Sequence, residues 1–217
     1  MTDIFREVDE EVRREQLKKL WERYGNLLIA ACVLVVVGVG GWRGYEYWQA
    51  KKAGQTGAAF EQAVRLAAAG NHKGAEAAFG KISATGSSGY RVLARLRAAA
   101  ELAQTNRKAA IAAYESLAAD KNVGQVVEDL AAVRAGLLML DSASYAQMRA
   151  RLEPLAAPGR PYRHTARELL ALSAWKAGDM SAARKWTDMI MSDPETPAGA
   201  RSRAQILSEL IAATGKG

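Results

Sequence analysis

The chain has 217 residues, 49% of them hydrophobic, and a formal net charge of +7. Its one cysteine, Cys32, sits in the most apolar stretch, so the rest of the chain neither needs nor risks disulfides in an oxidising compartment. Its two histidines, His72 and His164, stand in turn or helix-start contexts with no acidic or cysteine partner at ligand spacing, which excludes a zinc pattern.

Residues 1–23 read as an amphipathic tail. Ile4, Phe5, Val8, Val12, Leu20, Trp21 and Tyr24 recur mostly at three- and four-residue steps, while Arg6, Glu10, Arg13, Arg14 and Lys18 occupy the other side. Two readings fit this tail: a helix lying on the membrane surface or running into the next segment, and a cytosolic docking helix.

Residues 24–48 read as a transmembrane anchor with aromatic flanks. No charged residue falls between Tyr24 and Trp42, and 27–41 reads LLIAACVLVVVGVGG. At the helical rise the uncharged run spans ~28 Å, close to the ~30 Å hydrocarbon core of a bilayer. Trp21, Arg23 and Tyr24 stand before it, and Trp42, Arg43, Tyr45, Tyr47 and Trp48 follow, as an interfacial collar at each end. The alternative is a buried core helix. A cleaved signal peptide is disfavoured by the long, acid-containing segment ahead of the run and the bulky residues after it. Arg13, Arg14, Lys18, Lys19 and Arg23 outnumber Arg43, Lys51 and Lys52, which predicts the N-terminus in the cytoplasm and the C-terminal domain outside. Gly40 and Gly44 form a small-xxx-small pair, a weak signal for homo-oligomers.

Residues 54–217 are rich in alanine and charge, a helical composition. Turn signals at Gly70-Asn71, Thr85 to Gly89, Gln104 to Asn106, Asp120 to Asn122, Asp141-Ser142, Pro158 to Pro161, Gly178-Asp179 and Asp193 to Gly199 cut it into single-helix pieces. Ala75, Ala78, Phe79 and Ile82 return thirty-five positions later as Ala110, Ala113, Tyr114 and Leu117. Tyr145, Met148 and Leu152 follow at three of those places, and Ala183, Trp186 and Ile190 keep the spacing after an insertion near Pro158. A period of ~34 residues built from two helices is a tetratricopeptide signature, here in degenerate form. The expected fold is all-α: an N-terminal amphipathic helix and one transmembrane helix, then a tetratricopeptide-like α-solenoid of about four hairpins with residues 198–214 as a capping helix. An irregular helical bundle is the alternative.

No phosphate loop, nucleophile elbow or HExxH occurs, so no catalytic residue, cofactor or metal site is expected. Glu128-Asp129 is a carboxylate pair, but adjacent helical residues diverge, so it reads as a solvated face. Most of the positive excess belongs to the domain beyond the anchor, where arginines cluster on two expected first helices. Arg91, Arg95 and Arg97 fall within 90–104, and Arg163 and Arg167, near Arg160, within 163–177. These five arginines are the candidate partner-binding residues, facing acidic or extended protein segments; the bland alternative is that they solvate the surface. Nucleic acid is excluded as a partner for a domain outside the cytoplasm. Anionic headgroups of the lipid bilayer are a further use of the charge.

The opening FREVDEEVRREQLKKLWERYG (5–25), the apolar run and Gly41-Trp42-Arg43 resemble proteobacterial single-span tetratricopeptide proteins, and the repeats extend the likeness over nearly the whole chain. That family comprises the ancillary subunit of the SecYEG translocon and shares its repeat domain with the cell-division coordinator CpoB. The resemblance implies an inner-membrane protein with periplasmic repeats, associated with the Sec translocon and a membrane-anchored periplasmic chaperone of prolyl-isomerase-like type. The function implied is an interaction scaffold assisting secreted-protein biogenesis; the alternative is a cell-envelope or division scaffold meeting cell-wall machinery through the same repeats.

Overall fold

The computed structural model describes the backbone of residues 3–214; ahead of Trp21, side chains are described only at Arg14 and Lys18. The apolar stripe expected at Ile4, Phe5, Val8, Val12 and Leu20 lies outside the described side chains. The described chain is helical: α1 (Asp3–Ala68), α2 (His72–Thr85), α3 (Ser88–Thr105), α4 (Arg107–Ala119), α5 (Gln125–Met139), α6 (Tyr145–Leu152), a 3-10 turn (Glu153–Leu155), α7 (Arg163–Lys176), α8 (Met180–Met191) and α9 (Ala198–Thr214). Two units divide it, Met1–Gly54 and Gln55–Gly217. The boundary falls inside α1, so residues 55–68 of that helix belong to the second unit.

In the first unit α1 is long and apolar enough to cross a membrane. A core helix would hide such a surface, yet only 6% of its most apolar 18-residue window, mean hydropathy 2.1, is buried. A continuous apolar sleeve of this kind far exceeds what soluble proteins leave exposed, and a helix satisfies all its interior backbone groups within itself. The aromatic collars carry cations over their rings: the Arg23 guanidinium lies 5.7 Å from the Tyr24 centroid and the Lys52 ammonium 5.6 Å from that of Trp48. Gly25 is buried beneath Trp21, whose ring a Cβ there would meet at 3.3 Å. Cys32 is exposed within the sleeve.

The second unit is a series of helical hairpins whose first helices are residues 55–68, α3, α5 and α7, and whose second helices are α2, α4, α6 and α8. Each second helix starts on a side-chain cap. Asn71 accepts from the Gly74 N–H, Asn106 from Ala109 and Asp179 from Ala182, while Ser144 and Gln147 form a reciprocal capping box. Two of these turns need glycine. Gly70 and Gly178 have φ of 76° and 78°, and in both the next N–H closes a six-residue ring onto the preceding helix, Asn71 to Leu66 O and Asp179 to Ala174 O.

Counting from the caps gives the true repeat register. Four residues on stand Ala75, Ala110, Met148 and Ala183; eight on, Phe79, Tyr114, Leu152 and Thr187; eleven on, Ile82, Leu117, Leu155 and Ile190. All twelve are buried. The expected alignment of the third hairpin is therefore corrected by three residues: Met148 takes the place of Ala75, not of Ala78. The cause is a longer turn. The helix starts after Ser144 rather than Asp141, and the Asp141 carboxylate accepts from Arg107 at 3.1 Å. α6 is also short, with 8 residues against 14, 13 and 12 in α2, α4 and α8, and the 3-10 turn supplies its last buried position, Leu155.

Small residues set how closely the hairpins stack. Phe79 is enclosed by Ala63 of its own first helix, Ala94 of the next, and the ring of Phe60 at 5.1 Å. A second cluster gathers Ala99, Tyr114, Leu117, Ala131 and Ala135, and the largest runs from Val133 through α7 and α8 to Leu207 and Ile211. Ion pairs one repeat-length apart join neighbours at the surface: Glu115–Arg151 at 3.0 Å, Arg107–Asp141 at 3.1 Å and Glu168–Arg203 at 2.5 Å. The first two, exposed on both partners, contribute at most ~1 kcal/mol each, while in the third Glu168 is partly buried. α9 lays Ala200, Ala204, Leu207 and Ile211 on the stack and turns Arg201, Arg203, Gln205 and Glu209 to solvent, the terminal cap a repeat array needs.

Candidate interaction surface

Burial of the hairpin stripes leaves few large apolar groups outside. Among the described residues of the second unit, the exposed ones are Leu93, Val126, Leu137, Ile206 and Leu210. None lies on a second helix: they belong to α3, α5 and α9. On α3, Leu93 and Arg97 are one turn apart and share a face; on α5, Val126, Leu130, Arg134 and Leu137 follow one another along a stripe. Arg97 and Arg134 are exposed, so both stripes alternate apolar and cationic groups. The apolar members were missed in the sequence, because an exposed leucine on a helix with two buried faces looks like any other core position.

The five candidate arginines part company here. Arg91 is exposed and takes part in no salt bridge among the described residues. Arg95, on the same face as Arg91, donates to Asp120 Oδ2 at 2.6 Å and holds that carboxyl below its usual range. Arg97, on roughly the opposite side of the helix, lies over the Phe79 ring at 5.7 Å and 3.9 Å from Glu101. Arg163 and Arg167 are engaged within the fold. Arg163 bonds Asp193 Oδ2 at 3.0 Å and also pairs with Glu195. Arg167 is 3% exposed and donates to Ala156 O at 3.0 Å, Met189 O at 3.1 Å and Asp193 Oδ2 at 2.9 Å. Its charge is consumed in joining the loop after α6 to the end of α8. A guanidinium can be buried only when its donors are met, and here they are met internally.

Other charges read as surface are also interior. Asp129 is 1% exposed and paired with Arg160, which corrects the solvated reading of the Glu128-Asp129 pair. Burial pushes its carboxyl pKa up despite the Arg160 charge. His72 has an acidic partner after all, Glu101 Oε2 at 2.8 Å from Nδ1, supplied by the next hairpin. His164 Nδ1 lies 3.1 Å from Thr196 Oγ1, and burial together with the Arg163 charge lowers its pKa. Among the described residues no three His, Cys, Asp or Glu side chains gather where a metal ion could sit.

Paired helices with alternating small and large buried positions, capped at regular intervals and closed by a lone helix, agree with the sequence of one known family. The Tetratricopeptide repeat-like domain family profile matches residues 18–185. The chain belongs to this family. The tetratricopeptide match begins ahead of the apolar run and ends within α8, so it takes in the candidate span as well as most of the hairpins. No curated protein and no solved structure matches the chain. Domains of tetratricopeptide type generally mediate protein–protein interaction, which makes the first-helix stripes the candidate site.

Proposed function

We propose that this protein is a membrane-anchored, non-enzymatic interaction scaffold of the inner membrane. Its tetratricopeptide repeats work in the periplasm beside the Sec translocon and a membrane-anchored chaperone, and assist the biogenesis of secreted proteins. The observation that carries the reading is the pairing of one exposed apolar helix with a repeat unit whose large exposed apolar side chains, among the described residues, lie on first helices or the cap. The excess of basic residues ahead of the span supports the N-in orientation. The likeness of the tail and anchor to the ancillary translocon subunit supports the choice of partners. The span is retained as an anchor and places the repeats near emerging chains.

Within the repeats, Leu93 with Arg97 and Val126 with Arg134 and Leu137 carry the contact, and Arg91 adds peripheral charge. Acidic or extended partner segments suit these stripes, and their attraction weakens with salt. The test is co-purification of the full-length protein in mild detergent. Translocon and chaperone subunits are expected; recovery of cell-wall synthases instead would replace the reading with an envelope or division scaffold. The double variant Arg97→Ser, Arg134→Ser is expected to lower partner recovery on the order of tenfold, with helicity unchanged. Unchanged recovery, or loss on exchanging the anchor alone, moves the site to residues 27–44.

Orientation has its own measurement. A reporter active only outside the cytoplasm, fused after Gly217, is expected to be active. Activity of a cytoplasmic reporter at the same position would reverse the topology and remove the translocon reading.

A further inference from the structure

The large exposed apolar side chains of the second unit fall into two sets that keep company with opposite charges. On α3 and α5 the company is arginine. Ala94 and Ala131 are both fully buried, Ala94 with Phe79 and Ala131 with Tyr114, two rings that hold the same place in successive hairpins. Three residues on from these alanines stand Arg97 and Arg134, which are therefore equivalent. The Arg97 guanidinium lies over the Phe79 ring. Burial raises the Tyr114 pKa, and the charges of Arg134 and Arg97 both oppose the rise. Both cations thus lie near one ring, which brings the stripes of α3 and α5 together. Arg134 is exposed and joins no ion pair among the described residues.

On α9 the company is a carboxylate. This helix packs on α7 and α8, which leaves Ile206 and Leu210 outside at 59% and 47% exposure. Its arginines are spent within the copy, Arg201 on the carbonyls of Met191 and Asp193 and Arg203 on Glu168. Glu209 remains, exposed and in no ion pair among the described residues. Its setting mirrors that of Arg134. On α5, Leu130 stands four residues before the arginine and Leu137 three after it. On α9, Ile206 stands three residues before the glutamate and Ala213 four after it. Laid antiparallel, the two helices bring Glu209 onto Arg134, Ile206 onto Leu137 and Ala213 onto Leu130. Within one copy α7 packs against both α5 and α9 and keeps them apart, so they meet between molecules.

We propose that the outer face of α9 docks on the α3–α5 stripe of a second copy of this chain. Apolar contact supplies attraction, and the Glu209–Arg134 pair fixes register and direction. Reciprocal exchange of the two helices fills both stripes and closes the assembly at a dimer. That stripe is the docking face of the scaffold reading, on which this rests, so the dimer is a masked form that an acidic partner opens by competition.

The test is sedimentation equilibrium of the full-length protein in detergent. Wild type is expected to show a reversible monomer–dimer equilibrium that weakens with salt. Glu209→Arg and Arg134→Glu, each alone, are expected to weaken dimerisation at least about tenfold with helicity unchanged. Mixed in equal amounts, the two variants are expected to recover wild-type affinity, because each α9 then meets the opposite charge on its partner. A monomeric wild type overturns the proposal, as does a mixture that associates no better than its components. Dimers equally strong in both variants overturn it as well and place the contact in the anchor. Glu209→Arg leaves the stripe intact, so recovery of translocon and chaperone subunits with it is expected to equal or exceed that of wild type. A dimer that follows these charge swaps while neither genotype recovers those subunits would sink the scaffold reading and leave the α9 contact standing.

Discussion

Phe79→Ala is expected to destabilise the repeat unit by about 3–5 kcal/mol, the range of large aromatic truncations in packed cores. Phe79 is fully buried, and its ring meets that of Phe60 edge-on at 5.1 Å, with the Tyr90 ring also packed on Phe60 at 5.5 Å. The residue thus joins three helices: 55–68, α2 and α3. Collapse around the vacancy is limited because the neighbours Ala63, Ala75 and Ala94 have no side chain long enough to fill it. The measurement is denaturant unfolding followed by circular dichroism. Repeat arrays need not unfold in one step, so the loss belongs in the transition that includes α2 and α3. A change below about 1 kcal/mol would mean that Phe79 is not enclosed as described.

Arg167→Met is expected to cost about 3 kcal/mol, for a different reason. Met keeps the bulk of the stem but removes donors to two carbonyls and one carboxylate, leaving Ala156 O, Met189 O and Asp193 Oδ2 short of a partner. The same cluster makes the end of the array acid-sensitive. The Arg163 hydrogen bond holds the Asp193 carboxyl far below the usual carboxylate range, with Arg167 adding to it. A lowered folded-state pKa means that this contribution is present above the unfolded value of about 4 and is lost as pH falls below it. The lowered pKa of His164 has the same sign: the fold favours the neutral ring, and that contribution fades as pH falls below the unfolded value of about 6.5. Thermal melts of the wild type are therefore expected to hold steady near neutrality, decline below about pH 6.5 and decline further below about pH 4. In Asp193→Asn the lower limb should flatten. Asp129, whose raised pKa has the opposite sign, offsets part of this decline, so the deciding comparison is the variant: a lower limb unchanged in Asp193→Asn would contradict the assigned partners.

The stripes needed for stacking were legible because they are local. Asn71, Asn106 and Asp179 announce second helices, small residues recur four positions later, and Ala200, Ala204, Leu207 and Ile211 recur at helical spacing within residues 198–214. Period and capping are properties of neighbouring residues, so one sequence shows them. The third hairpin was misaligned by three because its cap, Ser144, lies three residues past an equally plausible Asp141, and only burial of Met148 and Leu155 distinguishes the two.

The fate of each charge was not legible. Asp129, Glu101 and Arg167 have the residue types of a solvated face, and their partners Arg160, His72 and Asp193 stand twenty-six to thirty-one positions away. Those distances are close to one repeat, so the pairs form only when hairpins stack, and no window of a single helix contains both members. By itself the sequence determined the apolar helix, the all-helical class, the repeat period and the terminal cap, since each follows from composition or from spacing within a few turns. The tertiary structure alone decided which arginines are spent inside and which remain at the surface. It also left Leu93, Val126 and Leu137 uncovered. Burial of a charge depends on a partner brought from another hairpin, and exposure of a leucine depends on the absence of a helix to cover it.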